Sequence, residues 1–276
     1  SQHGISVMQA TPTTWHLLLD EGWKAPAGFR GLCGGEALPP ALAKRLLEAG
    51  VTLWNMYGPT ETTVWSTVMP ITDAGKISIG RPIANTTVWI LDEAGRCCPV
   101  GEPGEICIGG KGVAGGYWSR PELTAERFIQ DPFAAGTGAT LYRTGDLGRW
   151  REDGLIDHMG RLDHQVKIRG YRIELGEIEA QLDAAPGVSR SVVVPREDVP
   201  GDVRLVAYAV PAGAATLDPA GLRAHLKRHL PDYMMPAQFV AMEQLPLLPN
   251  GKIDRKALLA PAASASPAAA AVAAAA

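Results

Sequence analysis

The chain has 276 residues, a length that suits one large domain or two smaller ones. Hydrophobic residues make up 46% and charged residues 20%, the balance of a folded globular protein rather than a disordered one. Lys and Arg number 26 against 29 Asp and Glu, a net charge of -3 that argues against a nucleic-acid partner. No apolar run approaches the roughly 20 residues of a membrane helix, so no membrane partner is expected. No secretory signal series opens the chain, and Cys33, Cys97, Cys98 and Cys107 lack C-x-x-C spacing. Together these predict reduced, structural cysteines, no zinc site and a cytoplasmic location.

Residues 1–10 carry no start signal and run into an apolar stretch with Trp15, Leu17, Leu18 and Leu19, which predicts a fragment with a missing N-terminal portion. A β-α-β unit follows. Phe29 to Cys33 reads as a strand ending at Gly34-Gly35. Pro39-Pro40 opens a helix whose apolar face is Ala41, Leu46 and Leu47, and Gly50 ends it. Val51 to Met56 is the second strand, parallel to the first, and breaks at Gly58-Pro59. The loops at Gly34-Gly35 and Tyr57-Gly58-Pro59-Thr60-Glu61 then lie at the carboxyl ends of their strands, where open α/β sheets bind ligands.

Between Ile77 and Tyr117, short alternating runs separated by Gly-rich turns predict an antiparallel, barrel-like section, and Leu155 to Met159 adds a hairpin strand. Gln165 to Arg169 reads as a strand and Leu175, Ile178 and Leu182 as a helix face. Val188 to Val194 and Leu205 to Val210 are predicted strands. Asp218 caps a helix with Pro219 at its first position and Leu222, Leu226 and Leu230 along one side. The fold class is thus α/β followed by α+β. The expected domains are 1–163, a compact unit at 164–260, and an Ala-rich linker at 261–276.

Five constellations can carry chemistry. In Tyr57 to Thr63, Thr60 offers a hydroxyl and Glu61 a hard oxygen suited to Mg²⁺ beside phosphates, although turn chemistry explains Gly58 and Pro59 equally well. The run Gly109 to Gly116 lacks P-loop order, because no Ser or Thr follows Lys111, so its glycines read as corners needing positive φ. In Tyr142-Arg143-Thr144-Gly145-Asp146, a loop Asp could accept from a ribose diol, and Arg161 could clamp a phosphate. A backbone-capping Asp and a surface Arg are the plainer alternative. Lys167, Arg169 and Arg172 make one face basic, or simply solvated. Asn250-Gly251 projects Lys252 from a turn, where it is either an ordinary surface charge or a point cation that can enter a cleft.

The order and wording of these motifs say more than any one of them. They are Asn55-Met56-Tyr57-Gly58-Pro59-Thr60-Glu61, Gly101 to Ile106 with Gly115-Gly116-Tyr117-Trp118, Tyr142 to Asp146, Gly160 to Gly170, and Asn250-Gly251-Lys252-Ile253-Asp254-Arg255. On these residues the chain resembles the C-terminal portion of an adenylation domain of nonribosomal peptide synthetases, in the superfamily with acyl-CoA synthetases and firefly luciferase. The resemblance covers nearly everything except the tail. The run Arg161 to Glu179 and the Asn-Gly-Lys-Ile-Asp-Arg motif are specific to the peptide-synthetase branch.

The resemblance implies an adenylate-forming ligase. An amino-acid carboxylate attacks the α-phosphate of ATP, and the acyl group then passes to the phosphopantetheine thiol of a carrier domain in the same parent chain. By similarity, Gly34, Asn55 and Tyr57 hold adenine, Thr60 touches the α-phosphate, and Glu61 binds Mg²⁺. Asp146 takes the ribose hydroxyls and Arg161 adds a ribose or phosphate contact. Asp163 is the hinge of a mobile C-terminal subdomain, Lys252 bridges substrate carboxylate and phosphoester oxygen, and Lys167 serves the thioester-forming state. The side-chain pocket is lined by Gln9, Leu32, Gly34, Met56, Val64 and Trp65, which suggests a mid-sized substrate with a hydrogen-bonding group.

Two departures stand out. His158 takes a place where relatives often carry an aromatic residue. The family's Ser/Thr/Gly/Lys-rich phosphate loop and the Asp that pairs with the substrate amine are expected upstream of Ser1. The 276 residues alone are therefore expected neither to adenylate efficiently nor to fold fully. The alternatives are an acyl- or aryl-CoA ligase, from which the lysine motif differs, and a catalytically incomplete docking fragment.

Overall fold

The computed structural model describes residues 4–134, 136, 138–162, 165–199, 202–213, 216–248 and 253–258. Asp163, the Asn250-Gly251-Lys252 turn and the tail 261–276 lie outside the described residues. The chain divides into two compact units, Ser1–Asp163 and His164–Ala276. Among the described residues no helix is long and apolar enough to cross a membrane.

The first unit opens with a five-stranded sheet of β1 (Val7–Ala10), β2 (Arg30–Gly34), β3 (Thr52–Tyr57), β4 (Thr67–Ile71) and β5 (Arg81–Pro82), in that order. The first three strands are parallel and the last two antiparallel. Helix α1 (Pro12–Asp20) crosses from β1 to β2 and α2 (Pro40–Glu48) from β2 to β3. Thr11 caps α1, its hydroxyl accepting from the Thr14 amide, and Pro12 supplies a first residue that needs no amide hydrogen bond. The buried face of α2 is Leu42, Ala43 and Leu46, with Ala41 exposed and Leu47 only partly covered. The Leu42/Leu46 pair at i, i+4 sets that face, so the helix is turned from the expectation. Beneath the sheet, Trp15 is fully buried against Trp23 and Phe29.

An antiparallel sheet follows, as expected for this stretch. Its path is β10 (Ile156–Arg161), β9 (Thr140–Trp150), β7 (Gly104–Gly110) and β6 (Thr86–Leu91), with β8 (Phe128–Gln130) pairing to β9. A short helix, α3 (Pro121–Arg127), precedes β8. A bridge between Gly80 and Ile156 ties the two sheets together within this unit. In the Gly-rich run, Gly110 and Gly116 do take positive φ, while Gly112 instead lies close against the Thr62 carbonyl. Burial pushes the thiols of Cys33 and Cys107 up to about 12, with Glu36 and Glu105 adding to the effect, so both remain protonated and inert.

The second unit begins with a hairpin, β11 (Val166–Ile168) and β12 (Tyr171–Ile173), whose two-residue turn places Arg169 and Gly170 at positive φ. Helix α4 (Leu175–Asp183) buries Leu175, Ile178 and Leu182, the predicted face. Strands β13 (Val188–Val199) and β14 (Asp202–Pro211) form a long antiparallel pair, and β15 (Gln238–Ala241) joins β14 in parallel. Asp218 caps α5 (Pro219–Leu226), its carboxylate accepting from the Ala220 and Gly221 amides. The apolar residues of α4 and α5 meet those of β13 and β14 in one core. Arg255 fastens the closing segment to this body. It donates to the Val193 carbonyl at 2.6 Å and to Glu179 at 3.1 Å, and Glu179 accepts from the Val193 amide.

Candidate functional site

Strand β9 breaks its own pattern where the predicted ribose residue stands. Pairing with β7 runs Cys107 to Arg143 and then Glu105 to Leu147, so Thr144, Gly145 and Asp146 face Ile106 alone. This is a bulge, which re-aims a side chain without ending the strand. Gly145 sits at φ 71°, a conformation that favours glycine. The bulge is held by the Thr144 hydroxyl donating to the Ile106 carbonyl at 2.7 Å, the Gly145 amide to Glu105 at 3.0 Å, and the Asp146 amide to the Thr144 oxygen at 2.9 Å. Arg143 in turn fixes Glu105 at 2.6 Å. Asp146, expected on a loop, is therefore on a strand. The positive-φ glycine that signalled a turn makes a bulge instead.

Asp146 is the hub of a buried cluster. The Tyr57 hydroxyl donates to its Oδ2 at 2.5 Å and Arg161 to its Oδ1 at 2.6 Å, while His158 Nε2 lies 3.6 Å from Oδ1. Arg161 also donates to the Thr144 carbonyl. The Tyr57 and His158 rings are 5.7 Å apart. Burial works to raise the Asp146 pKa, but the His158 hydrogen bond and the Arg161 charge outweigh it and hold the carboxyl below its ordinary value. Burial, reinforced by the Asp146 charge, drives the Tyr57 phenol well above its ordinary range, so Tyr57 remains a donor.

At the end of β3, which carries Tyr57, a 3₁₀ turn over Thr60–Thr62 exposes the Thr60 side chain and buries Glu61. The Tyr117 hydroxyl donates to Glu61 Oε1 at 2.6 Å and lies 3.3 Å from the Tyr142 hydroxyl. The Ala114 amide donates to the Glu61 carbonyl, and the Thr63 hydroxyl to the Gly112 carbonyl. The Gly-rich run thus buttresses the turn. A hard cation such as Mg²⁺ suits a carboxylate oxygen of the kind Glu61 supplies. Among the described residues no three His, Cys, Asp or Glu side chains could hold a metal ion together, so the ion would need ligand oxygens as well, as a nucleotide's phosphates supply.

Next to this turn the backbone passes through Thr63 at φ 62° and Val64 at φ 69°. The Trp65 amide bonds the Thr63 carbonyl, closing a tight turn that lays the Trp65 indole on Gly34. A Cβ on Gly34 would come within 2.5 Å of that ring, so only glycine fits there. Gly34 is in register with Met56, and Gln9 with Leu32 on the neighbouring strands. Val64 and Gln9 are exposed. Asn55 is buried, its amide donating to the Ser78 carbonyl at 2.7 Å.

The fold therefore joins Tyr57, Asp146 and Arg161 directly, sets Thr60 and Glu61 one turn beyond Tyr57, and joins Gly34 to Trp65. Lys167 lies in the second unit on β11, opposite Arg172. Sequence reasoning had Tyr117, Tyr142 and Glu105 within motifs but gave them no role, and it did not reach Ser78. Tyr117 and Glu61 are 56 residues apart, and no spacing rule connects them.

The profile of the AMP-binding enzyme family matches residues 1–118, and that of the AMP-binding enzyme C-terminal domain matches residues 177–252. A dimodular nonribosomal peptide synthase of Bacillus subtilis (strain 168) is 51% identical over 259 residues, which is 93% of this chain and 11% of that protein. Tyrocidine synthase 3 of Brevibacillus parabrevis is 50% identical over 265 residues, covering 93% of this chain and 4% of its own length. The chain thus spans about a tenth or less of these relatives. Among solved structures, a holo nonribosomal peptide synthetase containing adenylation and PCP domains superposes with a TM-score of 0.79 at 33% identity, covering 93% of this chain and 45% of that one. A four-domain nonribosomal peptide synthetase bound to AMP and glycine gives 0.57 at 49% identity, covering 94% and 20%. With both family profiles, these relatives and the α/β architecture in agreement, the chain belongs to the AMP-binding, adenylate-forming enzymes, on the nonribosomal-peptide-synthetase branch.

Proposed function

We propose that this chain is part of a ligase that activates an amino acid as its adenylate and passes it to a carrier domain. The observation that carries the reading is the buried Tyr57–Asp146–Arg161 cluster placed one turn from Thr60 and Glu61. The substrate carboxylate oxygen attacks the α-phosphorus of ATP. The bond to the bridging oxygen breaks, and pyrophosphate leaves. The carrier's phosphopantetheine thiol then attacks the acyl carbon and AMP departs.

Each residue has a physical task in this scheme. Asp146 is kept ionised, and its oxygens have lone pairs beyond those that Tyr57 and Arg161 occupy, so it can accept from a ribose diol. Arg161 compensates that buried charge and offers a cation towards the nucleotide. Gly34, Asn55 and Tyr57 line the adenine side. The Thr60 hydroxyl donates to a phosphate oxygen. Glu61 holds Mg²⁺, which when bound neutralises phosphate charge and orients the oxygens. The Trp65 indole on Gly34, with Met56, Leu32, Val64 and Gln9, shapes a place for a mid-sized side chain bearing a polar group. Lys167 serves the thioester half-reaction, Asp163 acts as the hinge, and Lys252 acts as the cation of the adenylation half-reaction.

Pyrophosphate exchange by the full-length protein, run against all the common amino acids, tests this. One polar, mid-sized amino acid should dominate, and Asp146→Ala or Lys252→Ala should lower exchange by about a hundredfold or more. Exclusive use of a purely aliphatic substrate defeats the pocket assignment, and undiminished exchange in both variants defeats the reading as a whole. Loading of free CoA in preference to a carrier thiol would favour the CoA-ligase alternative.

A further inference from the structure

We infer that Tyr117 is a positioning residue that sets the carboxylate of Glu61 for its cation; the inference rests on the metal role given to Glu61 above. The phenol reaches back from the end of the Gly-rich run and donates to Glu61 Oε1 at 2.6 Å. Its ring packs edge-on against Phe128 at 5.4 Å, and its own amide donates to the Thr124 hydroxyl, so the donor is itself held in place. The Tyr142 hydroxyl, 3.3 Å away on a fully buried side chain, extends the network into β9. A hydrogen bond from a fixed neutral donor orients a carboxylate without cancelling its charge. That is what partners behind a metal ligand generally do, and their loss lowers metal affinity by about tenfold or more.

Three variants of the full-length protein, Tyr117→Phe, Tyr142→Phe and Glu61→Gln, are to be compared by Mn²⁺ titration in the presence of ATP without amino acid. Bound metal is read by electron paramagnetic resonance, and thermal midpoints are recorded alongside. Tyr117→Phe should weaken Mn²⁺ binding by about tenfold. It should raise the Mg²⁺ midpoint of pyrophosphate exchange to match, and leave KM for the amino acid unchanged. Tyr142→Phe should move the metal midpoint in the same direction by less, and it keeps the test alive if Tyr117→Phe folds poorly. An unmoved midpoint in Glu61→Gln overturns the metal role of Glu61 and this inference with it. A shift in Glu61→Gln with none in either tyrosine variant overturns the role of Tyr117 alone. A loss of thermal stability in Tyr117→Phe with unchanged metal affinity shows a purely structural contact, and also overturns it.

Discussion

The first unit encloses charge and the second largely excludes it. Among the described residues, Asn55, Glu61, Glu105, Asp131 and Asp146 are buried in the first unit together with several hydroxyls, whereas the second buries only Gln165 and Ser191 among its polar side chains. The core of the second is instead a continuous apolar packing of α4 and α5 on β13 and β14. Buried polar groups cost stability unless each finds a partner, and they remain where chemistry requires them. The first unit therefore has the composition of a site, and the second that of a well-packed body.

The sharpest way to break this contrast is Asp146→Ala. It leaves the Arg161 guanidinium and the Tyr57 hydroxyl without their common acceptor, and removing one partner of such a buried pair costs about 3–5 kcal/mol. Urea unfolding of the first unit, followed by its own amide exchange, should show the loss, whereas a change below about 1 kcal/mol would mean the cluster is not structurally coupled. Next in size is Ile178→Ala, fully buried in α4, where truncation costs about 2–4 kcal/mol, to be read as lost exchange protection in α4 and β13. A small effect there would show that the apolar core tolerates a void.

The smallest expected effect is a pH dependence. The Asp146 carboxyl titrates below its ordinary value of 3.8 in the folded chain. The unfolded chain therefore takes up that proton first as pH falls. The stability Asp146 contributes is complete above about pH 4 and is lost as pH drops through the lower folded value. Asp146→Asn should flatten the acid limb of a stability-against-pH curve, and an identical slope in both proteins would count against the charged cluster.

Local rules reached far in some places. Asp218 with Pro219, the Leu175/Ile178/Leu182 face and the β2-α2-β3 unit all follow from caps, periodicity and turn residues, which act within a few positions. Strands β1, β4 and β15 and helix α3 were not legible, because short segments depend on neighbours that sequence does not place. Tyr57 and Asp146 are 89 residues apart; residue chemistry marked each as a candidate, and only the family motifs assigned both to one nucleotide. Nothing local distinguished a bulge at Gly145 from a loop, since both call for the same glycine. Tyr117 and Glu61 each stood in a motif, but nothing local paired them.

That bulge has an evolutionary corollary. By setting the three residues Thr144 to Asp146 against Ile106 alone, it lifts the carboxylate of Asp146 out of the regular ladder with β7, in which Tyr142 still pairs with Ile108. Mutational drift can reshape one end of the strand without rotating the other out of place, provided Gly145 remains free to carry the kink.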